Sequence, residues 1–151
     1  MYLKEYLEKI EGKIKLFIDM DGVIADYILG EAKDYDTKRP LYTSIKKLEE
    51  ISKMPNVEMF IFSATRYSTG FSEKHAWLDK YAPFFDMEHR IIISREDNNM
   101  MDSSKLKANY LTNYERDGST LIVIDDDPKN LFAIKDNNSD IILLKDTVLV
   151  D

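Results

Sequence analysis

Five short apolar runs, at residues 14–18, 57–62, 90–93, 121–124 and 141–144, punctuate the 151-residue chain, with a segment of helical period between each run and the next. Runs this short and this continuously apolar read as strands buried on both faces. Strands that alternate with helices connect through right-handed crossovers into a parallel sheet. The chain is therefore expected to form an α/β, Rossmann-like parallel sheet of about five strands with helices on both faces. At this length one domain with one core suffices.

The helical segments carry their own punctuation. Ile45, Leu48, Ile51 and Met54 recur every three residues after Pro40. Trp77, Leu78 and Tyr81 share one face of 72–81, with Ser72 as expected N-cap and Pro83 just past the end. Leu106, Tyr110, Leu111 and Tyr114 follow Ser103 and Ser104, and Pro128 stands where a first helical residue would follow an Asp127 cap. Residues 1–12 read as an extra amphipathic helix that packs through Leu3, Tyr6, Leu7 and Ile10 and stops at Gly12.

Composition excludes several classes. There is no cysteine, hence no disulfide framework and no thiolate metal site, which fits a cytoplasmic protein. The first residues carry charge throughout and lack the apolar stretch of a signal peptide, and no window approaches a membrane span. A formal charge of −7 argues against a general nucleic-acid-binding surface but suits a site for a divalent cation.

Asp19-Met20-Asp21-Gly22-Val23 follows the first run directly, so two carboxylates leave the C-terminal end of a strand, where open α/β sheets place their ligand crevice. An aspartate can serve as a covalent nucleophile and a second one beside it can move protons. Asp-Gly also marks a plain turn. Three further features fall at strand ends or helix starts: Ser63 in Phe62-Ser63-Ala64-Thr65-Arg66, Lys105 early in the helix before the fourth strand, and Asp125-Asp126-Asp127 after that strand. Each alone has an ordinary reading as a turn residue, a solvated charge or a helix-dipole partner.

Together, in this order, they resemble the four motifs of the haloacid dehalogenase superfamily of phosphotransferases, over roughly residues 14–135. The resemblance implies a Mg²⁺-dependent phosphomonoester hydrolase. Asp19 would be the nucleophile that forms an aspartyl-phosphate and would also touch the metal. Asp21 would protonate the leaving oxygen, activate water and bind Mg²⁺ through its backbone carbonyl. Ser63 would donate to a phosphate oxygen, Lys105 would supply positive charge, and Asp125 and Asp126 would complete the metal site, with Asp125 the first choice for direct ligation. Lys107 is the alternative to Lys105, and Ala64 and Arg66 are further candidates for phosphate contact.

His75 and His89 lack partners at metal-ligand spacing and are expected to be structural or solvent-facing. Tyr27, Tyr35 and Tyr42 could stack on a substrate ring or simply pack.

Forty-one residues separate Asp21 from Ser63, and the interval from Ser63 to Lys105 is as short. Neither can house a cap domain, so the cleft is expected to be open, with a flap at about 22–42. A bulky substrate or a second subunit would then have to exclude water. The segments Lys74–Tyr81, Ile91–Arg95 and Ile124–Pro128 resemble the 5′-deoxyribonucleotidase branch, whose small cap has no room here. The resemblance favours a small-molecule phosphate ester, first a nucleoside 5′-monophosphate, then a 3′-phosphate nucleic-acid end. The other readings are transfer to an acceptor other than water, and a non-catalytic scaffold or regulatory domain of the same fold.

Overall fold

The computed structural model describes residues 2–27 and 34–150. Five parallel strands form one sheet: β1 (Ile14–Ile18), β2 (Val57–Thr65), β3 (Arg90–Ser94), β4 (Thr120–Asp125) and β5 (Ile142–Lys145), in the spatial order β3-β2-β1-β4-β5. Among the described residues five α-helices accompany them: α1 (Leu3–Glu8), α2 (Tyr42–Ile51), α3 (Gly70–Tyr81), α4 (Ser103–Thr112) and α5 (Pro128–Asn137). No further domain stands over the sheet among the described residues.

The period-2 alternation of β1 sorts the core into two layers. Ile14, Leu16 and Ile18 pack with Leu3 and Leu7 of α1, Ile45, Leu48 and Ile51 of α2, and Trp77 and Leu78 of α3. Phe17 points the other way, into Phe60, Phe62, Leu111 of α4 and Ile134 of α5. Phe17 stacks on Phe60 at 5.2 Å and meets Phe62 edge-on at 5.6 Å, so aromatic rings pack directly on β1 in the second layer.

The chain leaves β1 toward β2 and β3 on one side, then crosses back to β4 and β5 on the other. β1 and β4 are neighbours at this reversal, and the crevice of a doubly wound sheet opens there, beyond the C-terminal strand ends. Asp19 directly follows β1, and Asp125 is the last residue of β4.

Most boundaries shift by a residue or so from the sequence reading, α1 is shorter than the expected 1–12, and two differences bear on the site. β2 runs on to Thr65, because its end gains a partner: Ser63 pairs with Ile92 and Thr65 with Ser94. Ser63 thus lies within the strand rather than past it. α3 begins at Gly70, ahead of Ser72, with the Thr65 hydroxyl occupying the space that a Cβ on Gly70 would fill. At α5 the Asp127 side chain accepts from the Lys129 amide at 2.9 Å, with Pro128 first in the helix as expected.

The expected flap is described only at its two ends, since residues 28–33 lie outside the described residues. Those ends form a tight strap. The Asp26 amide donates to the Arg39 carbonyl and the Leu41 amide to the Ile24 carbonyl, each at 2.8 Å, and Ala25 bridges Pro40. The 3₁₀ turn Tyr35–Thr37 leads into Arg39–Leu41 and buries the Tyr35 side chain.

Candidate active site

Odd-numbered residues of β1 and β4 face α4, so the carboxylates of Asp19 and Asp125 continue the aromatic layer upward toward that helix. Lys107 meets them there. Its Nζ lies 3.1 Å from Asp19 Oδ1 and 2.8 Å from Asp125 Oδ2, and all three groups are buried. Burial pulls the Lys107 ammonium down, but Asp19 and Asp125 outweigh it and leave its pKa raised. Asp125 is held further by the Asp127 amide at 2.9 Å and by the Asn130 side-chain amide at 3.2 Å.

Lys107, and not Lys105, is thus the lysine of this cluster. Ser104, Lys107 and Leu111 form the buried stripe of α4, whereas Lys105 and Asn109 lie on its exposed face. Lys105, although nearer the helix start, is set outside the cluster by the helical period. The signal was available: Lys107 precedes Leu111 by four residues, which puts both on one face.

Across the crevice a second buried lysine, unforeseen as a site residue, comes from α3. Lys74 Nζ donates to Ser63 Oγ at 2.6 Å and to the Ala64 carbonyl at 2.8 Å, and lies 3.4 Å from Asp21 Oδ2. Burial lowers its pKa despite Asp21 and Asp19. Lys74, Trp77, Leu78 and Tyr81 follow the i, i+3, i+4, i+7 pattern, so a lysine on the apolar face of α3 was the detectable sign. A third lysine, Lys38 of the strap, bonds Asp21 Oδ1. Burial pushes the Asp21 carboxyl up, but Lys74 and Lys38 outweigh it and hold the pKa below the ordinary value.

One oxygen each from Asp19, Asp125 and Asp126 can be chosen so that all lie within 4.8 Å of one another. Three carboxylates in that space are a donor set for a hard divalent cation such as Mg²⁺. The Asp21 carboxylate is turned to its lysines instead, which leaves only the backbone carbonyl for the metal contact assigned to Asp21. Burial, with the charge of Asp125 and Asp21 adding to it, overrides Lys107 and pushes Asp19 up to about 8. Burial and Asp125 likewise push Asp126 up to about 6.

Gly22 makes the approach of Asp126 feasible. Its φ of +79° lies in the left-handed region, and a Cβ there would overlap the Asp126 carboxylate. Gly22→Ala is expected to cost about 1–2 kcal/mol from backbone conformation, with more from displacing Asp126. Urea denaturation of the two proteins measures it.

A cleft of about 480 Å³ opens over these groups, bordered by Asp19, Asp21, Ala64, Lys107, Asp126 and the half-exposed Tyr27. Arg66 is not drawn in; it is exposed and lies over the Tyr67 ring at 5.5 Å. Tyr35 is buried edge-on against Trp77, whereas Tyr42 is exposed at the start of α2. His89 bonds Glu58 and Asp86 at the start of β3, and His75 contacts Arg90, so neither joins the crevice. No helix among the described residues is long and apolar enough to cross a membrane. No protein-family model matches the chain, and no curated protein matches it.

Proposed function

We propose that the chain is a Mg²⁺-dependent phosphomonoester hydrolase of the haloacid dehalogenase type, working through an aspartyl-phosphate on Asp19. The observation that carries the reading is the pairing of buried Asp19 with Lys107 at the point where the sheet reverses, opposite a Lys74 that joins Ser63 to Asp21. Four carboxylates and three ammonium groups converge there, a charge set suited to an anionic group accompanied by a cation.

Asp19 attacks phosphorus and forms an O–P bond while the ester P–O bond breaks. The leaving oxygen takes a proton through Asp21. Water then attacks the same phosphorus, gives a proton to Asp21, and releases Asp19 and inorganic phosphate. Asp21 is held ionised by its lysines, which suits the second step. The proton for the first enters with the ester, whose second pKa of about 6 leaves part of it monoanionic at neutral pH. Ser63, Lys74 and Lys107 hold the phosphoryl oxygens as charge shifts, a preorganised arrangement of the kind that dominates phosphoryl transfer.

Asp19, Asp125 and Asp126 would hold the metal. When bound, Mg²⁺ supplies the positive charge that offsets repulsion between carboxylate and phosphate and favours ionised Asp19. Because Asp19 and Asp126 carry raised pKa values, the cation must displace protons. Mg²⁺ affinity is therefore expected to rise from pH 6 to pH 8, measured by the concentration of Mg²⁺ that gives half of the thermal shift. An affinity independent of pH would contradict the three-carboxylate site.

The open cleft admits a nucleoside 5′-monophosphate, our first choice of substrate, and also a 3′-phosphate at a nucleic-acid end. A Mg²⁺-supplemented screen of phosphorylated metabolites, nucleotides and phosphorylated oligonucleotides tests the reading. Hydrolysis abolished by a chelator is expected. Failure to hydrolyse any member would favour a non-catalytic role for the fold.

A further inference from the structure

Lys38 stands apart from the other two lysines because it comes from a loop, and the loop is built to hold it. Its carbonyl accepts from the Trp77 indole N–H at 3.0 Å, fixing the backbone to α3. Its Nζ lies 4.7 Å from the centroid of the Tyr35 ring and 5.3 Å from that of Tyr27, so two aromatic faces flank the ammonium group. Tyr35 is itself buried edge-on against Trp77 at 5.8 Å. The side chain is only 12% exposed, little for a lysine on a surface loop. All of this ends on one atom, Asp21 Oδ1.

The two oxygens of Asp21 are thereby made different. Oδ1 is pinned by Lys38, whereas Oδ2 faces Lys74 at 3.4 Å, on the side of Ser63. The geometry points to Lys38 as a positioning residue that turns Asp21 Oδ2 toward the phosphoryl group, so that this oxygen exchanges the proton with the leaving oxygen. Segment 34–41 thus delivers one side chain to an acid that borders the cleft. The inference rests on the phosphatase reading above.

A positioned proton donor matters most when the leaving group is a poor one. The test compares kcat/KM for p-nitrophenyl phosphate, whose leaving group departs without help, with that for a nucleoside 5′-monophosphate, an alkyl ester. In Lys38→Met the alkyl ester is expected to lose about tenfold or more and the aryl ester less than about threefold, the scale of a misplaced catalytic group. Lys38→Arg, which keeps a donor to Asp21, should restore most of the difference. Thermal denaturation of each variant reports folding separately.

Equal losses on both esters, or no loss on either, would overturn the assignment while leaving the phosphatase reading intact. A wild type inert toward both esters with Mg²⁺ would overturn the two together.

Discussion

Asp19→Asn is expected to fold normally and to lose Mg²⁺-dependent hydrolysis by at least about 10⁴-fold, the scale seen when a covalent nucleophile is removed. The amide cannot form the O–P bond and is a poor ligand for a hard cation. The thermal shift produced by Mg²⁺ should shrink with the activity. Stability itself should move the other way. Asp19 in the metal-free protein is raised to about 8 from 3.8, so between those values the folded state holds more protons than the unfolded state. Stability from this group therefore falls as pH rises through that window and is lowest above pH 8. The neutral amide escapes that loss, so without Mg²⁺ at pH 8 the variant should be at least as stable as the wild type. A variant that is inactive because it is unfolded would contradict the account.

Lys107→Met should have the second largest effect. The substitution keeps an apolar stem beside Phe62 but strands Asp19 and Asp125 as two buried carboxylates with no cation between them. Removing one partner of a buried ionic cluster costs about 3–5 kcal/mol. The loss should be larger at pH 8 than at pH 5, because Asp19 can take up a proton at the lower pH and relieve the repulsion. Activity should fall with it, since the ammonium group that faces Asp19 is gone. Lys105→Met is the control: on the exposed face of α4 it should change stability by less than about 0.5 kcal/mol and leave turnover unchanged. If Lys105→Met abolished activity and Lys107→Met did not, the site would have been built around the wrong lysine.

In the sequence Lys105 stands nearer the start of its helix than Lys107. The strands were readable because their apolar runs are local and continuous, and Asp19, Asp21 and Asp125 were readable because each sits at or just past the end of such a run. Lys107 and Lys74 belong to helices, where a lysine is normally solvated, and their burial depends on which face packs onto the sheet. Helical phase carried that information: Lys107 with Leu111, and Lys74 with Trp77 and Leu78. Lys38 had no such signal. Its contact with Asp21 depends on the strap formed by Ala25 with Pro40 and on the Trp77 bond to its carbonyl, pairings between distant segments. The end of β2 is hidden from the sequence for a related reason, because Ser63 to Thr65 are held in the strand by β3 rather than by their own propensity.

The fold follows from the sequence pattern, whereas the proposed chemistry depends on a division of labour between Asp19 and Asp21. Asp19 faces Lys107 and lies with Asp125 and Asp126, while Asp21 faces Lys38 and Lys74. Acid quenching of the wild-type protein during incubation with p-nitrophenyl phosphate and Mg²⁺, followed by peptide mass mapping, tests that division most directly. The account predicts one phosphoryl group, found on Asp19 and absent from Asp19→Asn. A phosphoryl group on Asp21 or any other residue would contradict it, as would turnover with no phosphorylated protein even when the second step is slowed by Asp21→Asn.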